Sequence, residues 1–374
     1  MRLEAAVPPP VLESIRAPFL EAGAAPADAP VLQPLALLLD LAGEAMRSRL
    51  FVVQGEGGEE AALRPDFTIP IARVHIEGGA KAGRYLYEGK AFRVAPKGSG
   101  RAEEFLQIGL EAVETGDVAE ADAEVAALAW RAAQAGGRSD LSMMLGDVGL
   151  FDAFVGSLGL APPLAARLRR AFSRPRLLKA ELDGEGAQGP EAGRIASLLA
   201  GLPEGEAAGV LEELWALAGI EPVGGRTAGE IAHRLIERAE ATRGPRLTPA
   251  EADRVRGFLA ISDSPGRALE AAARLAGKGK ALTAALEAWS RRLAAMSKRG
   301  APLEKMRLST AFGRQFGYYD GMLFEVRSAA LGEDQPVAAG GRYDGLLARL
   351  GATAAGGAVG CMVRPARAWT GGGE

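Results

Sequence analysis

Residues 103–111 read EEFLQIGLE, and the rest of the chain is organised around them. With a two-residue period Leu106, Ile108 and Leu110 fall on one side, and Phe105, Gln107, Gly109 and Glu111 on the other. That is a strand whose apolar face packs on a core. Its other face carries an amide, a position without a side chain, and a carboxylate. Gln107 and Glu111 stand roughly 13 Å apart at about 3.3 Å per residue. Gly109 between them leaves room for a small ligand against the backbone. Such a face suits the floor of a pocket for a ligand carrying an ammonium or an amide. The solvated face of an edge strand has the same pattern, so the flanking segments must choose between the two.

Upstream, RYLYEGKAFRVAP (84–96) reads as a strand ending in the loop KGSGR, so 84–111 forms an antiparallel hairpin. A Gly-Ser-Gly tip can cradle phosphate, although a plain flexible tip has the same composition. Before it, LRPDFTIPIAR (63–73) holds Asp66 and Thr68 at one parity, with a helix expected from about Ile69. Pro34 opens a helix carrying Leu35, Leu38, Leu39, Ala42 and Met46. A short strand at Leu50–Gln54 leads into the turn GEGGEE. Downstream come a helix over Ala119–Ala135, a strand at Leu141–Leu145, and Asp147 placed to cap a helix over Leu150–Leu158.

From residue 161 to 298 strand alternation disappears and amphipathic helices dominate, including Val210–Ala218 and Ala228–Ala239. Thr248-Pro249-Ala250-Glu251 is a capping box, and Ser264-Pro265 starts another helix. The expected organisation is a β-rich core over 1–160 and 299–374, with a helical insertion over 161–298. The core resumes with KMRLSTAFGRQFGYYDGMLFEV (305–326), two strands around a turn at Tyr319-Asp320-Gly321. AGGRYDGLLARLGA (339–352) reads as a glycine turn and a helix, and GAVGCMV (357–363) as a buried strand.

Composition narrows the function. The 374 residues are 48% hydrophobic and 24% charged, with a net charge of −3. That describes a soluble globular protein without the basic footprint of a nucleic-acid binder. One cysteine, Cys361, excludes an internal disulfide and fits a reducing cytoplasm. With only His75 and His233 beside it, a Cys/His metal site is not expected. His233 reads as a helix-packing residue, and the N-terminal stretch MRLEAAVPPP lacks the apolar core of a signal peptide.

Three segments together resemble the class II histidyl-tRNA synthetase catalytic core: LRPDFTIPIAR, the hairpin FRVAPKGSGRAEEFLQIGLE, and FGYYDGMLFEV with AGGRYDGLLARLGA. The resemblance covers roughly residues 34–160 and 300–367. It implies an α+β fold with an antiparallel sheet flanked by helices. It also implies a site for L-histidine. Asp66, Gln107 and Glu111 would hold the ammonium, Thr68 would stand beside them, and Tyr318, Tyr319 and Tyr343 would line the imidazole. Arg93 and Arg314 match arginines near the carboxylate and the reacting phosphate; a structural role for Arg93 within its own hairpin is the alternative. Carboxylates preorganised in a partly dry pocket suit an ammonium.

The departures from that pattern decide the expected function. Ala95 stands where the family has an acidic residue that reads adenine, and Glu103 where an arginine grips triphosphate. Arg364, followed by Pro365 and Ala366, replaces a glycine that lets adenine approach, and Gly317 replaces an aspartate. Arg367 keeps a family arginine's place. Nothing follows residue 374, so an anticodon-binding domain is expected to be absent. This pattern is similar to that of regulatory subunits of short-form ATP phosphoribosyltransferase. It implies a chain without catalytic residues, cofactor or metal. Such a chain would form a homodimer within a hetero-oligomer with the catalytic subunit and transmit feedback by histidine. A truncated synthetase-like enzyme forming histidyl-adenylate, and a scaffold with a vestigial pocket, are the competing readings.

Overall fold

A computed structural model describes residues 3–114, 116–172, 174–184, 204–218, 245–275, 279–313, 318–352 and 356–371. In chain order the elements begin with α1 (Pro9–Glu21), β1 (Ala25–Pro26), β2 (Leu32–Pro34), α2 (Leu35–Ala42), β3 (Val52–Gln54) and β4 (Glu60–Leu63). Next are α3 (Thr68–Glu77), β5 (Gly83–Phe92), β6 (Glu104–Glu114), α4 (Val118–Gln134), β7 (Leu141–Asp147) and α5 (Val148–Ser157). Helices α6 (Pro162–Ala171), α7 (Pro175–Leu182), α8 (Glu204–Ala218) and α9 (Pro249–Leu259) follow. The chain closes with β8 (Ser262–Asp263), α10 (Pro265–Leu275), α11 (Lys280–Lys298), β9 (Met306–Ser309), β10 (Met322–Ser328), β11 (Ala338–Arg342), α12 (Asp344–Arg349), β12 (Gly357–Val363) and α13 (Pro365–Ala368).

Nine strands form the main sheet in the order β1-β5-β6-β12-β11-β10-β7-β9-β8. Its pairings are antiparallel except β1 with β5 and β7 with β9. The hairpin predicted around KGSGR is β5–β6, with Tyr87 opposite Gly109 and Tyr85 opposite Glu111. On the other side β12 places Gly360 opposite Glu111. β6 is therefore an interior strand. Its polar face is buried, with Gln107 0% and Glu111 2% exposed, which removes the reading of a solvated edge.

Helix α4 lies across β10, β11 and β12. Asp117 caps it by accepting the Glu120 amide at 3.0 Å. Its Asp122, fully buried, accepts from Arg292 of α11 at 2.6 Å and from Arg342 of β11 at 2.7 Å. Asp147 ends β7 as expected of a cap, accepting the Leu150 amide at 3.2 Å; its other oxygen takes the Trp289 indole N–H at 2.7 Å. These bonds fasten α11 to the sheet.

The chain divides into two compact units. One comprises Met1–Ala153, Ala260–Ala276 and Lys280–Glu374; the other comprises Phe154–Leu259 with Gly277–Gly279. The breaks fall at 153/154 and 259/260 rather than at 160/161 and 298/299. Composition marks α10 and α11 as helical, but Trp289 and Arg292 bind α11 to the first unit, and α10 packs on α11, β8 and β9. In the second unit Phe154 stacks on Phe258 at 4.0 Å, and Arg167 pairs with Glu181 at 3.1 Å. The capping box forms: the Thr248 amide donates to Glu251 at 2.8 Å, and the Glu251 amide donates to Thr248 Oγ1 at 3.3 Å. The helix expected over Ala228–Ala239, with His233, lies outside the described residues.

Three local expectations change. The helix after Pro34 stops at Ala42, where Gly43 takes a φ of 91°; Met46 falls in the 3-10 turn Glu44–Arg49 that follows. β9 and β10 are both present but do not pair, because β7 lies between them. The glycines of AGGR belong to strand β11 rather than a turn. A Cβ at Gly341 would stand 2.8 Å from the Tyr319 ring, so that glycine serves close approach.

Candidate functional site

The polar face of β6 is closed over by three segments, each fixed by local bonding. The first is the bend 64–67. Arg64 donates to the carbonyls of Ala29 at 2.5 Å and Lys90 at 2.9 Å, while Arg93 donates to the Pro65 carbonyl at 2.7 Å. Phe67 stacks on Tyr87 at 4.4 Å. These contacts present Asp66, and Thr68 as the first residue of α3. The second segment is Tyr318-Tyr319-Asp320. Asp320 accepts the amides of Asp344 at 3.1 Å and Gly345 at 2.6 Å, joining it to the third segment, the start of α12. Asp344 in turn accepts from Arg342 and from the Ala358 amide, both at 2.7 Å. The aspartates of YYDG and RYDG are thus structural clasps that orient the tyrosines before them.

The side chains brought together form one hydrogen-bonded set. Glu111 accepts from Thr68 Oγ1 at 2.8 Å and from the Tyr343 hydroxyl. Tyr318 donates to Asp66 at 3.4 Å, and the Arg93 guanidinium lies 3.7 Å from the same carboxylate oxygen. The rings of Tyr318, Tyr319 and Tyr343 meet at centroid separations of 4.8–6.5 Å. Burial pushes the Glu111 carboxyl up to about 8, although the hydroxyls of Tyr343 and Thr68 pull it down; the charge of Asp66 adds to the rise. Near neutral pH this carboxyl therefore holds a proton that an incoming cation would expel.

Asp66, Thr68, Arg93, Glu111, Tyr318 and Tyr319 line a common cavity of about 20 Å³, enough for about one water. Tyr343 stands behind Glu111 rather than on the cavity wall. Gln107 shares the face but does not line the cavity; both polar atoms of its amide are buried and unbonded among the described residues. Arg314 and Gly317 lie outside the described residues. The space expected over Gly109 is not open. A Cβ there would run into the Cys361 carbonyl and the Tyr87 ring, and the Tyr87 hydroxyl donates to that carbonyl at 3.1 Å. Gly109 makes room for Tyr87. Gly360 plays the same part for Glu111, whose carboxylate fills the place of a Cβ. Tyr87, Gly360, Cys361 and Met362 all line the cavity and were not among the expected residues. Tyr87 was recoverable from the hairpin register; the β12 residues were not, since their pairing with β6 is long-range. Cys361 is 2% exposed, and burial raises its thiol far above the ordinary range, as befits a packing residue.

Beyond this set, Arg364 is 4% exposed; its guanidinium lies 3.6 Å from the Phe105 ring centroid and pairs with Glu4. It covers an aromatic face on which a base could stack. Glu103 turns to the Ala95 amide at 3.4 Å.

A comparison with known proteins accounts for this combination. The chain is 40% identical over 335 residues to an ATP phosphoribosyltransferase regulatory subunit of Mesorhizobium japonicum, covering 87% of each chain. It is 36% identical over 353 residues to the protein of the same name from Brucella canis, covering 92% of each. The chain belongs to the family of ATP phosphoribosyltransferase regulatory subunits. The family profile described as histidyl-tRNA synthetase matches residues 11–228 and 234–365, so this chain has a synthetase-like core. A crystal structure described as an ATP phosphoribosyltransferase regulatory subunit/histidyl-tRNA synthetase from Bacillus halodurans superposes with a TM-score of 0.65 at 21% identity. It covers 96% of this chain and 78% of that one, and establishes the class II synthetase-like fold. Among the described residues no helix is long and apolar enough to cross a membrane, and no group of three His, Cys, Asp or Glu residues could hold a metal.

Proposed function

We propose that this chain is the non-catalytic regulatory subunit of a cytoplasmic short-form ATP phosphoribosyltransferase. It raises the activity of the catalytic subunit and conveys feedback by L-histidine bound at the Glu111 cavity. The single observation that carries the reading is the coexistence of two features. A buried set of Asp66, Thr68, Glu111 and tyrosines is suited to an amino-acid cation, while Arg364 covers the neighbouring Phe105 ring. Enzymes gain rate from groups aimed at developing charge; a clamp without a nucleotide platform gains a sensor.

In this reading the histidine ammonium takes the ionised carboxylates of Glu111 and Asp66, and Arg93 takes its carboxylate. Gln107 supplies an amide that otherwise stays buried without a partner, at a cost of about 1–3 kcal/mol. With about 20 Å³ open, the amino acid enters only as the tyrosines and Tyr87 move apart. Binding thus selects an opened form, and histidine regulates by differing in affinity between active and inactive assemblies.

The test is to purify the chain with its catalytic partner as a hetero-oligomer and measure the partner's rate with and without histidine. Activation together with histidine inhibition supports the reading. A partner whose rate and histidine response are indifferent to this chain overturns it, and so does histidine-dependent exchange of pyrophosphate into ATP by the chain alone.

A further inference from the structure

Helices α3 and α12 begin at the Glu111 cavity, with Thr68 and Tyr343. Their last turns border a separate cavity of about 410 Å³, which shares no lining residue with the first. Small-ligand pockets measure about 300–1,000 Å³. Ile76, Val113, Leu347 and Ala352 give this one apolar walls. Its lining holds two side chains able to carry positive charge, His75 and Lys81, and no carboxylate among the described residues.

His75 is 5% exposed. Its Nδ1 lies 2.8 Å from the Tyr85 hydroxyl, which has no other hydrogen-bond partner among the described residues. The phenol therefore donates to Nδ1, and Nε2 carries the imidazole hydrogen. Burial holds His75 below the ordinary histidine range, so the ring is neutral at pH 7 and above. Nε2 makes no hydrogen bond among the described residues. A donor held this deep in a wall is satisfied by an acceptor in the cavity. The carbonyls that end the two helices do not compete for it or oppose an anion, because they are already bonded. The amides of Gly78 and Gly79 close α3, and those of Gly351 and Ala352 close α12, all at 3.0 Å.

We propose that this cavity binds a compact monocarboxylate with an apolar body. The His75 Nε2–H and the Lys81 ammonium hold the carboxylate, and the apolar walls hold the body. The site stands apart from the histidine reading and does not require it.

The test is calorimetric titration of the full chain with phenylacetate, and with 2-phenylethanol and phenethylammonium as its neutral and cationic counterparts, at constant ionic strength. Phenylacetate is expected to bind with a Kd below about 1 mM, at least about tenfold more tightly than either counterpart. The chain has two histidines, so the imidazole Cε1–H resonance missing from His75→Phe identifies His75; it is expected to shift on saturation. His75→Phe keeps a ring and removes the N–H, and is expected to weaken phenylacetate by about tenfold or more. Lys81→Met, at an exposed position, is expected to weaken it about threefold or more with the melting temperature unchanged. This second variant keeps the test valid should His75→Phe fail to fold. No saturable heat up to about 5 mM phenylacetate, a His75 resonance unmoved at saturation, wild-type affinity in either variant, or a counterpart binding as tightly would each overturn the proposal.

Discussion

Glu111 is where a single side chain governs behaviour. Its folded-state carboxyl titrates near 8, against about 4.5 for an exposed glutamate. The folded chain thus holds the proton more tightly than the unfolded chain. The stability this residue contributes is complete below about pH 4.5 and is lost as pH rises through about 8. Thermal melts of wild type and Glu111→Gln should therefore diverge with pH. The wild type loses several degrees more between pH 5.5 and 8.5, on a scale of about 2–4 °C per kcal/mol. Parallel pH profiles would contradict the assignment. The same proton makes binding pH-linked, since a cationic ligand selects the ionised carboxylate. Histidine calorimetry at pH 7 in two buffers of different ionisation enthalpy should show proton release. The Gln variant should release none and bind at least about tenfold more weakly.

At the scale of elements, two strands set the size of the pocket. Gly360 of β12 leaves the place that the Glu111 carboxylate fills. Gly360→Ala should cost about 1–3 kcal/mol by overpacking and remove histidine binding, while an alanine at the exposed Gly57, where nothing lies within 4 Å, should do neither. Denaturant melts and calorimetry distinguish these outcomes. Helix α11 is fastened by Arg292 to Asp122, which is completely buried. Arg292→Met should cost about 3 kcal/mol, the lower end for breaking a buried pair, because Arg342 still binds Asp122 at 2.7 Å. Retained histidine affinity in that variant would separate the helix anchor from the site. The insertion boundary shows why composition alone misplaces such elements. Residues 265–298 look like the helices before them; what fastens α11 to the sheet-bearing unit is a pair of buried side chains whose partners lie about 140–170 residues earlier, while α10 packs against α11 and the strands β8 and β9.

For the whole molecule, the prediction concerns separation of assembly from sensing. A complex made with Glu111→Gln should keep the partner's activation but need at least about tenfold more histidine for half-inhibition. Rates of the catalytic subunit at varied histidine measure it. Loss of activation itself would mean that the cavity supports assembly rather than feedback.

The sequence by itself determined the elements and the chemical type of the site. Alternation in EEFLQIGLE, the capping residues Asp147 and Thr248, and the shared parity of Asp66 and Thr68 are local patterns, readable because backbone geometry and capping act over a few residues; the tyrosines entered through the family resemblance, since they meet Asp66 and Glu111 only across more than 200 residues. Only the tertiary structure decided that β6 is interior, that Gly109 accommodates Tyr87 instead of a ligand, that AGGR is a strand, and that Arg364 lies on Phe105. Each of these depends on which distant segment arrives at a given face. That is set by long-range pairing and close packing, in which one backbone's approach defines another side chain's space, and no local period encodes it.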